Sequence, residues 1–411
     1  PTPLKVMAMF PPKSRIHHAP GINAVFRRLG GPAKLTKELG TFRTHCIHWF
    51  AFCLDMKLEG DMALEHLPIQ RCVWQMALYT MHLATGNSVS CRSIKAATIT
   101  KYLLSIAKFC ARSNPRDPRK LEQTSKALAP EIQGVINEVQ RWENIPDRRE
   151  PFTLEMLRYL IELRALQPHI HDHDSPLAAM IDWASAGLYD GFRLSEWAQP
   201  NGHHALHNPH LNIRGDACAF CIADFRFLSD DKIRIPVDQV IKLDPASPSV
   251  GRIFVKYRTQ KNGRHGEERQ HTRNASATAP CHVTSSMRIV QRFARLIGHT
   301  PHLPLCVYRH DNGSIRYITA SVIESTFRMA AAHVYKLDPV KDSAHLCRWS
   351  AHSLRVGACV ILHGMGFTDT QIQFLLRWQS NAFFVYLRNI ARLAHKQNRA
   401  LDDLSIMPNF I

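Results

Sequence analysis

Apolar residues recur at three- and four-residue spacing through much of the first 142 residues, the pattern of helices with one buried face. Ala33 to Leu58 carries Phe42, Cys46, Trp49, Phe50 and Cys53, and Ile69 to Ala84 carries Val73, Met76, Ala77, Tyr79 and Met81. Ile99 to Ala111 repeats the stripe with Tyr102, Leu103, Ile106 and Phe109, and Pro130 to Trp142 with Ile132, Val135, Ile136 and Val139. The pattern predicts an all-α domain over 32–142, preceded by an irregular Pro- and Gly-punctuated segment, 1–31. Residues 143–151, from Glu143 to Pro151, hold two prolines and several charges without periodicity, and read as a linker. Thr153 is then an N-cap candidate for a new helix.

From 152 to 411 the pattern is mixed. Ala178 to Trp197 reads as helix, and Cys221–Phe227 and Lys232–Ile235 as short strands. Arg252 to Thr259 is β-branched and aromatic, and a turn at Asn262-Gly263 follows it. Helices are predicted at Ser285–Ile297, Ser321–Val334, His352–Met365, Thr368–Trp378 and Ser380–Lys396, with Thr368 and Gln371 at capping-box spacing. The predicted fold class is mainly α with a small β-sheet: an all-α domain, then a mixed α/β domain.

Composition narrows the function. The chain is long enough for two cores. Its 52 Lys and Arg against 34 Asp and Glu give a net charge of +18, which favours a polyanionic partner such as nucleic acid. No run of 18 apolar residues is present, so no membrane span is expected. Pro1-Thr2-Pro3-Leu4-Lys5 lacks a start methionine and a signal-peptide core, as in a processed chain. Eleven cysteines without a framework fit free thiols in a reducing, intracellular compartment.

An ordered set of polar residues carries candidate chemistry. Arg193 lies in Gly191-Phe192-Arg193-Leu194-Ser195-Glu196; His352 and Arg355 lie in Ala351-His352-Ser353-Leu354-Arg355; Trp378 and Tyr386 follow. A phosphodiester under attack gathers negative charge on its non-bridging oxygens, which forked, permanently charged guanidiniums suit. A phenol is a competent nucleophile once its proton is taken up, and the leaving oxygen needs an acid. Lys261, beside the Asn262-Gly263 turn, is best placed for that. The scheme calls for no metal or cofactor. Each part has a plainer reading: His352 and Arg355 as a solvated helix face, Tyr386 as a core aromatic with Phe383, Leu387 and Ile390, Trp378 as packing, Lys261 as an ordinary hairpin charge. The combination, in order on a basic chain, favours the chemical one.

These segments resemble the tyrosine recombinases of the phage-integrase type. The likeness lies in Gly191 to Glu196, Thr259-Gln260-Lys261-Asn262-Gly263, Ala351 to Ala358, Leu376-Arg377-Trp378-Gln379-Ser380 and Phe384 to Asn389, and in the two-domain layout. The Trp378-to-Tyr386 spacing is one residue shorter than in many bacterial and phage members, and looks more like recombinases of eukaryotic mobile elements. The resemblance implies that Arg193 and Arg355 bind the scissile phosphate, with Glu196 supporting. It also implies His352 in proton transfer, Lys261 as general acid, Trp378 as a phosphate hydrogen-bond donor and Tyr386 as nucleophile. Lys256 and Arg264 compete for the lysine's role, because the segment from Arg193 to Lys261 is longer than in compact members. The implied partner is double-stranded DNA, bound by a homotetramer on two sites, in the nucleus if the host is eukaryotic. A type IB topoisomerase-like enzyme and a non-catalytic DNA-binding derivative are the rival readings.

Two further features bear on partners. Arg92, Lys95, Lys101 and Lys108 make a basic series on the helical half, either a solvated face or contacts to DNA phosphates. His207 and His210 precede Cys218-Ala219-Phe220-Cys221, which has zinc-like spacing. Cys221 opens an apolar run where cysteine packs as a small hydrophobe, so no metal is expected.

Overall fold

The computed structural model describes residues 37–58, 61–88, 93–143, 148–166, 173–212, 215–258, 266–276, 279–378 and 383–387. The chain divides into two compact units, Pro1–Pro146 and Asp147–Ile411.

In the first unit the described elements are all helices: α1 (Lys37–Asp55), α2 (Ile69–Ala84), α3 (Ala96–Cys110) and α4 (Pro130–Trp142). Their apolar stripes meet in one core containing Trp49, Phe52, Tyr79, Leu103, Ile106 and Ile132. The helix expected from Ile99 starts earlier, because the Glu143 carboxylate accepts the Ala96 N–H and satisfies an otherwise orphaned donor. Histidines share this core: the His45 ring lies tilted against that of Tyr102, centroids 3.8 Å apart, and bonds Ser105 Oγ at 2.7 Å. His82 is buried against Phe52, and burial, then the charge of His48, pushes its pKa down to about 4.

The second unit opens with α5 (Leu154–Leu166), where Thr153 Oγ1 accepts the Met156 N–H at 3.3 Å. Next, α6 (Pro176–Asp190) is capped by Ser175, whose hydroxyl accepts from the Ala178 N–H. The single helix expected over Ala178–Trp197 is broken at Gly191, which is left-handed with φ of 56°. A Cβ there would lie 3.1 Å from Leu376 Cδ2 and 3.4 Å from Arg355 Cγ, so both torsion and space favour glycine. Arg193 is therefore the N-cap of a new short helix, α7 (Leu194–Trp197), and not a late helical residue as expected. Glu196 Oε2 accepts its N–H at 2.8 Å.

An antiparallel sheet of order β2-β1-β3-β4 follows, from β1 (Phe225–Leu228), β2 (Arg234–Ile235), β3 (Arg252–Tyr257) and β4 (Glu267–Thr272), with α8 (Val237–Val240) between β2 and β3. Ile253, Val255 and Tyr257 alternate inward from β3. The strand expected from Cys221 begins only at Phe225, because Ile222–Asp224 form a 3-10 turn and Asp224 accepts the Cys221 N–H at 2.8 Å. β4 was not expected; its Glu-Glu-Arg-Gln-His-Thr sequence lacks alternation, and pairing with β3 alone makes it a strand. After α9 (His282–Ile297) comes a hairpin of β5 (Val307–Arg309) and β6 (Ile315–Tyr317).

Helices close the described chain: α10 (Ala320–Tyr335), α11 (Ser343–Leu346), α12 (Ser353–Gly364), α13 (Asp369–Leu375) and α14 (Phe384–Leu387). Thr368 and Gln371 form the expected capping box on α13. Phe383 and Leu387 fasten α14 to Ala358, Cys359, Ile372 and Leu376 in a small apolar cluster. The fold is mainly helical with small antiparallel sheets. No helix of the described residues is long and apolar enough to cross a membrane. The described cysteines are free thiols; burial pushes Cys46, Cys110, Cys221, Cys306 and Cys359 up to about 12.

Candidate active site

Arg355 lies in the first turn of α12 and is only 3% exposed. Its Nη1 donates to Gly191 O and its Nη2 to Leu376 O, each at 2.5 Å. Its guanidinium also stacks 4.4 Å above the Trp378 ring. Among the described residues no carboxylate forms an ion pair with it. Burial, then the charges of Arg193 and Arg377, pushes its pKa down to about 9, so it stays charged at neutral pH. A cation in the first helical turn also faces the positive end of the helix dipole. Each of these effects favours an arriving anion.

Arg193 reaches the same turn. Its Nη2 points at Arg377 O (3.4 Å), the carbonyl next to the Leu376 carbonyl that holds Arg355, while its Nη1 pairs with Glu196 at 3.1 Å. Gly191 and the 376–377 turn thus bring the two predicted arginines together. Glu196, the expected supporting residue, pairs with Arg193 and with a third arginine, Arg377.

Arg377 escaped the sequence reading. It has φ of 56°, with its N–H bonded to Phe374 O and the Trp378 N–H to Gln373 O at 2.9 Å, the bonding of a Schellman turn with arginine where glycine is usual. Left-handed torsion in a non-glycine residue costs about 1–2 kcal/mol. Two Glu196 contacts at 2.9 and 3.1 Å and the Tyr257 ring 3.5 Å away offset that cost. The same turn brings Trp378 under Arg355. Among the described residues the buried indole Nε1–H of Trp378 has no acceptor, which leaves a donor beside the arginine.

Tyr386 is half-buried, its neighbours Phe383 and Leu387 are packed, and its hydroxyl lies 2.6 Å from His352 Nε2. Its ring is 5.7 Å from that of Trp378. Burial raises the phenol's pKa, and the Arg355 charge opposes the rise. His352 keeps an exposed edge, yet burial of the ring and the charges of Arg355 and Arg149 push its pKa down to about 4. A neutral imidazole with its proton on Nδ1 presents a free Nε2 lone pair to the phenol.

Other expected residues fare differently. Lys261, Arg264 and Arg92 lie outside the described residues; Lys256 is exposed on β3. Lys95, Lys101 and Lys108 are exposed, Lys101 and Lys108 on the outer face of α3. His207, His210, Cys218 and Cys221 do not converge: among the described residues, the group of three metal-capable side chains with mutually close donor atoms is Asp190, His271 and His282. Cys221 is a packed thiol donating to Ala219 O and His302 O.

No family model matches the chain, and no curated protein matches it. Among solved structures it is similar to the integrase of the transposon Tn1549 in complex with circular intermediate DNA, at 13% identity and a TM-score of 0.39 over 89% of this chain and 94% of that one. A variant of that integrase in complex with transposon right end DNA is similar at 13% identity and a TM-score of 0.40, over 93% of this chain and 98% of the other. At this level of likeness the chemistry has to stand on the residues themselves.

Proposed function

We propose that the chain is a DNA strand-cleaving and rejoining enzyme of the tyrosine-recombinase kind. What supports this most is the phenol of Tyr386 against His352 Nε2, beside a buried arginine without a carboxylate partner. In the proposed step the Tyr386 oxygen bonds to phosphorus as the P–O5′ bond breaks. The phenol proton passes to His352, and Lys261 delivers a proton to the departing 5′ oxygen. Arg193 and Arg355 take the negative charge on the non-bridging oxygens, and the Trp378 N–H takes one of them as acceptor. The product is a 3′-phosphotyrosine and a free 5′-hydroxyl. A 5′-hydroxyl from a second duplex reverses the step on a new partner, through a Holliday junction.

The partner is double-stranded DNA, with Arg92, Lys95, Lys101 and Lys108 meeting phosphates, and the working form is a homotetramer on two sites, serving a mobile element. Contacts to several phosphates make DNA affinity fall steeply with salt. Nicked suicide duplexes carrying the native element ends test the chemistry: the wild type traps a covalent adduct, and Tyr386→Phe does not. Paired sites separate the rivals. Adduct with supercoil relaxation and no recombinants indicates a topoisomerase-like enzyme, and absence of any adduct indicates a binding protein.

A further inference from the structure

Asp190 is 1% exposed and ends α6, next to the glycine that holds Arg355. Both of its oxygens are engaged: His271 Nε2 lies 3.0 Å from Oδ1 and His282 Nε2 3.0 Å from Oδ2. Buried, neutral His282 closes the proton inventory, because its Nε2–H donates to Asp190 while Nδ1 accepts the Ser286 hydroxyl at 3.1 Å. The two imidazoles stack, with centroids 4.1 Å apart and planes 8° from parallel. A metal ion lies in the plane of each imidazole that binds it, and two stacked parallel planes share no such point. This arrangement is a hydrogen-bonded bridge and not a coordination site.

The bridge fixes a particular piece of backbone. Asp190 O accepts from Arg377 Nη2 at 3.3 Å, and Gly191 O from Arg355 Nη1 at 2.5 Å. The carbonyls anchoring the Glu196-bound arginine and the free one are therefore adjacent, beside a carboxylate clamped from β4 and α9. We infer that the His271–Asp190–His282 bridge is a positioning device, setting where the Gly191 carbonyl holds Arg355 against the scissile phosphate. Misplacing a catalytic group by a fraction of its reach costs rate while leaving DNA affinity nearly intact.

This rests on the strand-cleavage reading above, and the test separates the two. Adduct formation is timed at saturating nicked DNA and normalised to titrated active sites, for the wild type, Asp190→Asn, His271→Gln, Arg355→Lys and the doubles with Arg355→Lys. The carboxamide of Asp190→Asn has one acceptor for two N–H donors, so one imidazole bond is lost. The expected result is a rate lower by about 10–10²-fold with unchanged DNA affinity, and little further loss when the same change is made on Arg355→Lys. An unchanged rate, or an equal cost in both backgrounds, overturns the inference. His271→Gln, at the less buried end of the bridge, carries the test if Asp190→Asn does not fold. A wild type that never forms adduct sinks the recombinase reading instead. The bridge is then read by NMR: protected imidazole N–H signals are expected in the wild type and reduced in His271→Gln, and their absence from the wild type overturns it.

Discussion

Arg355 and Arg377 both bond into the same stretch of backbone and both are buried, yet among the described residues only Arg377 has a counterion. Arg377 has a carboxylate, a backbone carbonyl and an aromatic face, and its pKa is raised by Tyr257 and Glu196 against the cost of burial. Among the described residues Arg355 has only carbonyl oxygens and an indole, and its pKa is lowered. A buried cation with its counterion inside the fold is a structural element. One without a counterion is stable only at a cost that an incoming anion relieves. The contrast separates the arginine that builds the turn from the one that meets the ligand.

The sharpest way to break this contrast is Arg355→Gln. Adduct formation should fall by about 10²–10³-fold, as for removal of one preorganised donor, while the melting temperature holds or rises. A large drop in stability would mean that Arg355 is architecture too. Arg377→Met should do the reverse, costing about 3 kcal/mol in urea unfolding because Glu196 is left with Arg193 alone. Adding Glu196→Gln should recover part of that loss, and no recovery would remove the ion pair as the cause.

The smallest expected effect concerns histidine. His82 in the first unit and His352 in the second are both pushed down to about 4 from an ordinary 6.5. As pH falls through about 6.5 the unfolded chain takes up protons at these rings, whereas the folded chain does not until about 4. Their stability contribution is thus complete above that window and is lost within it. Urea midpoints should drop on acidification from about pH 7.5 to about 5, and His82→Leu should shrink the drop. Identical profiles for the two proteins would show that His82 titrates normally.

Much of this was legible in the chain. Apolar spacing marks the four described helices of the first unit, and motif order marks Arg193, Glu196, His352, Arg355, Trp378 and Tyr386, which the fold links by short contacts. The misses share a cause, in that their structure is set by partners distant in sequence. β4 is polar throughout and is a strand only because β3 lies alongside. Arg377 gives no local hint of left-handed torsion, because the contacts that offset its cost come from Glu196 and Tyr257, distant in sequence. Asp190, His271 and His282 are far apart in sequence, and the histidines resemble ordinary polar residues until the fold stacks them. Gly191 was the one missed signal that was readable, a helix stop within an otherwise helical run.

Tyr386, His352 and Arg355 come from one polypeptide. On the proposed chemistry, a protomer whose Tyr386 hydroxyl meets its own His352 can arm its own cut. Blending a Tyr386→Phe protein with an Arg355→Gln protein should restore nothing, because no mixed neighbour pair pools the missing parts. Any ordering of the incisions would then have to come from how subunits lean on one another, since none of them borrows its blade.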